Sequence, residues 1–222
     1  ALLGDLQTAA LVSTTGSIDW LCLPRFDSPA CFAALVDTPE AGHWTLAPTA
    51  GGTCSSRRYV GDTLVLETTW TTAEGTVKVL DFMPPRGHAP DVVRIVEGVS
   101  GAVPMRSELR LRFDYGSIIP WVRRIDGCIQ AIAGPDAIAL RSDVRHHGRQ
   151  MATVAEFDVH NGESLAFELH WHRSHREPPP GVDVRAEIDR VEAWWATWMA
   201  GFNYDGKWQD AVRRSVITLK AL

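Results

Sequence analysis

No two of the four cysteines, Cys22, Cys31, Cys54 and Cys128, are spaced as Cys-x-x-Cys. That argues against a structural zinc site or a thioredoxin-like motif. Four cysteines in 222 residues are too few for a disulfide scaffold, so the thiols are expected to be reduced and mostly buried. A surplus of positive charge is also missing. Lys and Arg number 22 against 27 Asp and Glu, a net charge of −5, which argues against general affinity for nucleic acid or an anionic membrane. No apolar run approaches the roughly 18–20 residues that span a bilayer. Ala1-Leu2-Leu3 runs straight into Gly4-Asp5, with no basic segment or cleavage site of a secretory signal. Thiol usage and the missing signal together predict a cytoplasmic protein. GxSxG is absent, and "AGPDA" (133–137) and "GGT" (51–53) read as turns rather than phosphate loops. There is no internal repeat and no low-complexity tract.

What is present is a chain of 45% apolar residues, enough for a sizeable core, with two textures that meet near residue 180. Before that point short alternating segments recur. "TLVLETTW" (63–70) places Leu64, Leu66, Thr68 and Trp70 on one face and forms a predicted hairpin with "TVKVLDF" (76–82). "VVRIVEGV" (92–99) is a separate short strand. "MRSELRLRF" (105–113) alternates Leu109, Leu111 and Phe113 against Arg106, Glu108, Arg110 and Arg112, a half-buried antiparallel strand. "ATVAEFDV" (152–159) and "SLAFELHW" (164–171) flank Asn161-Gly162, a second hairpin signal. About ten such segments imply a mostly β fold, a large antiparallel β-sandwich over 1–180.

"REPPPG" (176–181) then opens a linker over 181–204. In it "DVRAEIDRVEAWWATWM" (183–199) has Ile188, Val191, Trp194, Trp195 and Trp198 at helical spacing, with Asp183 as cap. A second helix over 205–222 is expected to be capped by Asp205, with the stripe Trp208, Val212, Val216, Leu219 and Leu222.

Candidate chemistry is sparse. Glycosidic hydrolysis needs two carboxylates flanking the scissile bond, and no pair stands out. Asp19, Asp27 and Asp37 suit turns or caps. His170 and His172 share a strand face near His175, without a neighbouring Cys, Asp or Glu to complete a metal set. No metal ligand, catalytic residue or cofactor site is therefore assigned. Trp20 and Trp121, in polar loop-like surroundings, are the better carbohydrate-contact candidates. Trp194, Trp195 and Trp198 suit packing of the linker helix onto a domain face. In "GSIDWLCLPRFDSPACF" (16–32), Gly16 fits a hairpin turn and Ile18, Trp20 and Cys22 alternate as strand residues. Pro24 and Pro29 bracket a rigid turn in which Arg25 can pair with Asp27. Phe32, Leu35 and Val36 resume apolar packing.

"GDLQTAALVSTTGSIDWLCLPRFDSPACFAALVD" resembles the N-terminal signature of bacterial glycoside hydrolase family fifteen, the glucoamylase and trehalase-like enzymes. The resemblance continues through "GHWTLAP", "RRYVGDTLVLETTW", "VKVLDFMP", "RFDYGSIIPWV", "ELHWHRSHREPPP" and "WWATWMAGFNYDGKWQDAVRRSVITLKAL". It covers nearly the whole chain and is nearest to the actinobacterial trehalase-like branch.

The resemblance implies a β-sandwich that precedes an (α/α)6 barrel, with 205–222 as the barrel's first, truncated helix. It places the catalytic glutamates downstream, in barrel loops. It further implies inverting hydrolysis of an α-glucoside, trehalose before maltose or longer glucans, by the intact polypeptide. This chain would be the non-catalytic front domain. Its partners would be the barrel of the same polypeptide and, in the intact enzyme, an α-glucoside, with homodimerisation as a further expectation. Trp20, Arg25, Phe26, Asp27 and Trp121 are the expected substrate-side or interdomain residues. Trp194, Trp195, Trp198 and Trp208 are the expected barrel-docking residues. The alternatives are a glucoamylase-like domain, an independent carbohydrate-binding module or a stand-alone interaction protein.

Overall fold

The computed structural model describes residues 1–49, 51–87 and 89–222. The strands are β1 (Leu2–Gly4), β2 (Ala9–Val12), β3 (Ser17–Cys22), β4 (Ala30–Phe32), β5 (His43–Pro48), β6 (Thr53–Tyr59), β7 (Leu66–Thr71) and β8 (Gly75–Phe82). They continue with β9 (Asp91–Arg110), β10 (Trp121–Ile125), β11 (Cys128–Ala133), β12 (Asp136–Ser142), β13 (His147–Arg149), β14 (Ala152–His160) and β15 (Ser164–Arg173). Two helices follow, α1 (Val184–Met199) and α2 (Gln209–Ala221). All strand pairings are antiparallel. One sheet runs β1-β2-β3-β5-β9-β14-β13, with β4 beside β3. The other runs β6-β7-β8-β9-β15-β12-β11-β10. Together they form the expected sandwich.

β9 belongs to both sheets. Residues 91–101 pair with β8 and β15, and residues 102–110 pair with β14 and β5. The segments 92–99 and 105–113, expected as separate strands, are thus one twenty-residue strand that bends between them. The bend is made at Gly101, whose φ of 69° is costly for any residue with a Cβ. The 152–159 and 164–171 segments do form strands around Asn161-Gly162, but not a hairpin. β14 pairs with one half of β9 and β15 with the other. Their turn follows the bend of β9, with Asn161 N–H donating to Gly101 O at 3.0 Å and Gly162 N–H to Gly98 O at 2.9 Å. The β7–β8 hairpin is as expected.

Alternation along the strands fills the space between the sheets. Leu21, Phe32, Trp44, Leu46, Met105 and Leu109 from one sheet meet Val77, Val79, Val92, Val96, Phe167 and Leu169 from the other. In the middle lies a buried ion pair. Arg94 donates to Asp81 at 2.8 Å and to the carbonyls of Trp44 and Gly16, both at 2.7 Å.

The second sheet is apolar on its outer side too, where Leu64, Val65, Leu80, Phe82, Val93 and Ile95 meet Val191, Trp195 and Met199 of α1 and Ile217 and Ala221 of α2. Leu64 therefore does not share a face with Leu66 and Trp70, which point into the sandwich. Asp183 caps α1 as expected, accepting from Arg185 N–H and Ala186 N–H at 3.1 and 3.2 Å.

α2 departs from expectation twice. It begins at Gln209 after a Gly206–Gln209 turn, so Asp205 does not cap it. Its buried residues are Ile217 and Ala221, while Trp208, Leu219 and Leu222 are exposed. The helix is rotated by its arginines: Arg213 pairs with Asp62, and Arg214 donates to Thr63 O at 2.7 Å and Gly61 O at 3.0 Å. Gly4 lets the end of the helix approach, since a Cβ there would stand 2.9 Å from the Ala221 Cβ.

The linker is strapped to the second sheet. Arg141 donates to Pro179 O at 2.7 Å, and Glu168 accepts from Val182 N–H at 3.1 Å. The same Glu168 lies 2.9 Å from His170 Nε2, and Asp91 lies 2.6 Å from Nδ1. His170 and His172 do share a face, but the acids judged missing are there: Glu168 two residues upstream and Asp91 across the strand pair. Both ring nitrogens of His170 are engaged by carboxylates, which suits an imidazolium better than a metal ligand. His172 Nε2 lies 3.2 Å from the Gln130 amide nitrogen, and His175 is exposed.

Burial alone would lower the His170 pKa. The hydrogen bonds and charges of Asp91 and Glu168 outweigh it and raise the value to about 9. A raised folded-state pKa gives stability that is whole below pH 6.5 and lost as pH climbs through 9. Urea unfolding between pH 6.5 and 9 is expected to show a fall of roughly 2–3 kcal/mol. His170→Gln should flatten this slope; a wild-type profile with no slope would refute the pairing.

Candidate functional site

Both ends of β9 lie at the same end of the sandwich, because Arg94 near its start reaches the carbonyl of Trp44, which pairs with Leu109 near its finish. The loops 5–8, 23–29, 33–41 and 111–120 gather there, with residues 83–87. Asp5 organises the first of them. Its carboxylate accepts from the N–H groups of Gln7 and Thr8 at 3.0 and 2.8 Å and from Arg86 Nε at 2.6 Å. Arg86 also donates to Pro24 O at 2.7 Å, and Phe26 N–H to Gln7 O at 3.0 Å. The pair is buried, so each charge needs the other. Asp5 and Arg86 did not stand out in the sequence, since 81 residues separate them; only the Asp-x-x-Thr turn pattern at Asp5 hints at an ordered carboxylate.

The clasp holds the Arg25-Phe26-Asp27 turn. Arg25 Nε and Nη2 donate to the two oxygens of Asp27 at 2.9 and 3.1 Å, so the two residues pair as their spacing suggests. The turn closes through Ser28 N–H to Arg25 O at 3.1 Å and Arg25 N–H to Ser28 Oγ at 3.1 Å. All three residues are exposed. An exposed pair adds at most about 1 kcal/mol of stability, so its geometry serves position more than folding.

Trp20 is half-buried on β3, 6.2 Å from the exposed ring of Tyr115. Leu35 and Val36, expected to pack, are exposed instead. The polar face of the 105–113 segment is not a wet face either. Arg110 and Arg112 are buried, Arg110 against Glu40 and the Gln150 carbonyl and Arg112 against the Leu111 and Met151 carbonyls. Loops folding over the sheet end cover what alternation had marked as solvent-facing.

Beside these loops opens a cleft of about 430 Å3, lined mainly by apolar side chains including Leu109, Leu111, Ile119, Ile129 and Met151. Trp121 stands at its edge, 68% exposed, with the Arg123 guanidinium 5.9 Å from its ring centroid. Five non-glycine residues around this end have left-handed backbones: Leu6 (φ 76°), Asp114 (51°), Tyr115 (55°), Gln150 (47°) and Met151 (58°). Such conformations are uncommon and cluster where function demands a fixed shape.

Chemically the loop end can bind and position: several of its carboxylates are already engaged, while Asp37 is exposed and Asp114 accepts from Ser117 Oγ at 3.0 Å. Asp5, Asp27 and Glu40 each pair with an arginine, respectively Arg86, Arg25 and Arg110. Asp19 accepts from Ser17 Oγ at 2.6 Å. Among the described residues no group of three or more His, Cys, Asp or Glu side chains could hold a metal ion.

The remaining tryptophans divide. Trp195 is 1% exposed against the second sheet, with Trp194 and Trp198 half-buried at its edges. Trp208 is 63% exposed. No helix among the described residues is long and apolar enough to cross a membrane, and the four cysteines are free.

A family model described as "Trehalase-like, N-terminal" matches residues 1–192. The chain belongs to this family. As a trehalase-like N-terminal domain it is 30% identical, over its whole length, to a trehalase of Mycobacterium tuberculosis, of which it covers 36%. It is 30% identical over 99% of its length to a trehalase of Mycolicibacterium smegmatis, covering 37% of that protein. It is 24% identical over 96% of its length to a trehalase of Thermoplasma acidophilum, covering 38%. The trehalase-like domain thus spans little more than a third of these relatives. Its match to the model takes in the clasp, the Arg25–Asp27 turn, the cleft and the start of α1.

Proposed function

We propose that this chain is the non-catalytic front domain of an inverting α-glucoside hydrolase that converts trehalose to glucose. It braces a catalytic barrel carried by the same polypeptide. The observation that carries this reading is the family match over 1–192, joined to relatives named trehalase that are almost three times as long. The pairing of Asp5, Asp27 and Glu40 with arginines supports a supporting role, since inverting hydrolysis needs one free acid and one free base on opposite sides of the sugar. The free cysteines suit a reducing compartment, the cytoplasm.

In this reading the Arg25-Phe26-Asp27 turn lies at the barrel mouth and shapes the wall of the sugar pocket, a role the bidentate pair suits by fixing the turn. The full-length polypeptide is expected to hydrolyse trehalose in preference to maltose, with β-glucose released in proton NMR. Arg25→Ala and Asp27→Ala in that polypeptide are expected to raise KM or lower kcat by roughly tenfold at unchanged Tm. Unchanged kinetics at unchanged stability would leave the turn a purely structural one.

The exposure of Trp121 favours one second reading, a carbohydrate-binding module that holds glucan by itself. Saturable binding of trehalose, maltose or a soluble glucan to the isolated chain, read by calorimetry, would select it.

A further inference from the structure

We propose that the loop end of the sandwich, centred on the cleft beside Trp121 and Met151, is the docking face for the polypeptide that follows Leu222 in the full-length protein. The proposal rests on the reading of this chain as the front part of a longer enzyme, and it names the surface that reading leaves open.

Apolar exposure gathers there and on the linker and helices, where Val182, Tyr204, Trp208, Leu219 and Leu222 are exposed. At the loop end Tyr115, Ile118, Ile119, Trp121, Val122 and Met151 are all exposed, and Met151 is 72% so. Phe26, Leu35 and Val36 extend the same end. Outside the linker and helices, among the described residues, Val99 is the one large apolar side chain exposed away from this end. Apolar exposure contiguous on this scale marks an interface with another folded surface.

The backbone of this rim is held in shape. Asp114-Tyr115 and Gln150-Met151 are two consecutive left-handed pairs, fixed from beneath by Tyr115 N–H to Ala30 O at 3.1 Å and by Arg112 Nη1 to Met151 O at 3.1 Å. A rim that projects apolar side chains at the expense of backbone comfort is preformed for a partner.

Charge points the same way. Among the described residues Arg112 has no carboxylate within ion-pair distance, although it is buried, and its guanidinium is met by two carbonyls. Glu40 acts on it only from farther off, being paired with Arg110, so a partner segment carrying Asp or Glu would add the close counterion it lacks.

The position of the last helix completes the argument. Ala221 packs on Gly4, the residue before Asp5, and Asp5 is tied through Arg86 to Pro24. Chain leaving Leu222 therefore sets out near the end of β1, which the Asp5–Arg86 clasp joins to the Arg25 loop at the end of the sandwich that carries the apolar rim.

Hydroxyl-radical labelling of the full-length polypeptide, read by mass spectrometry at Trp121 and Met151, tests the proposal. Both residues are expected to label roughly tenfold more slowly than in the Ile119→Asp variant, because interface cores exclude solvent. Val99→Asp, at the opposite end, is expected to leave the protection intact. If Ile119→Asp fails to fold, the urea-unfolded wild type serves as the exposed reference. Labelling of the wild type as fast as the reference would overturn the proposal. So would protection that disappears on dilution to a monomer in the ultracentrifuge, which would assign the face to a second copy. Trehalose hydrolysis is assayed on the same samples. Its absence would defeat the hydrolase reading while the labelling still decides the docking face.

Discussion

Replacing Arg94 with Met is expected to destabilise the domain by about 3–5 kcal/mol, the cost of stranding a buried charge. Arg94 is fully buried and joins the two sheets through one guanidinium. It meets Asp81 on the neighbouring strand of its own sheet and the carbonyls of Trp44 and Gly16 on the other, with its charge 5.1 Å from the Trp44 ring centroid. Methionine fills much of the volume but leaves the Asp81 carboxylate and two carbonyls without donors, in a place water does not reach. Tm should fall by about 10 °C for a domain of this size. The double variant Arg94→Met/Asp81→Leu removes the stranded charge and is expected to regain most of the loss, since apolar packing can replace a buried pair. Urea unfolding of the wild type, the single variant and the double variant checks this. A single variant within about 1 kcal/mol of the wild type, the ordinary size of a point-mutant effect, would mean the pair does not join the sheets.

Replacing Trp195 with Ala is expected to cost a similar 3–5 kcal/mol, the range for truncating a buried aromatic to alanine. The indole is 1% exposed, lies in the cluster that binds α1 to Leu80, Phe82, Val93 and Ile95, and stands edge-on to Trp194 and Trp198 at 4.9 and 5.8 Å. Trp208→Ala, on an exposed side chain, should change stability by only about 0.5 kcal/mol or less. The contrast between the two is the diagnostic, read by urea unfolding followed in far-UV circular dichroism. Equal small effects would mean that the helices are not an integral layer of the domain.

Much of this fold is written in local sequence. The period-two alternation of β7 and β8, the Glu74-Gly75 turn between them, the proline-rich linker and the helical spacing of Val191 and Trp195 each need only near neighbours to be read. The Arg25–Asp27 pair is legible for the same reason, being two residues apart within a proline-bracketed turn. What escaped are features settled at a distance. Val99-Ser100-Gly101 resembles a break between strands, whereas the chain bends there without leaving the ladder. The rotation of α2 depends on Asp62 and on the absence of a side chain at Gly4, not on the helix's own stripe. Arg94, Arg110 and Arg112 occupy positions that composition marks as wet; loops and an opposing sheet decide that they are dry. Of the candidate site, the Arg25 turn and Trp121 could be named from sequence. The Asp5–Arg86 clasp and the left-handed rim could not, because one links distant residues and the other lies in φ angles that Asp114, Tyr115, Gln150 and Met151 seldom adopt.

β9 gives the molecule one mechanical fate. Its first half is a central strand of one sheet and its second half a central strand of the other, so neither sheet can peel away without stripping partners from a strand the other needs. Heat, denaturant or a pulling force applied to either layer is transmitted covalently through Gly101 to its opposite. The two sheets should therefore melt as one body, and a backbone cut at Gly101 would do more to uncouple them than one in any surface loop.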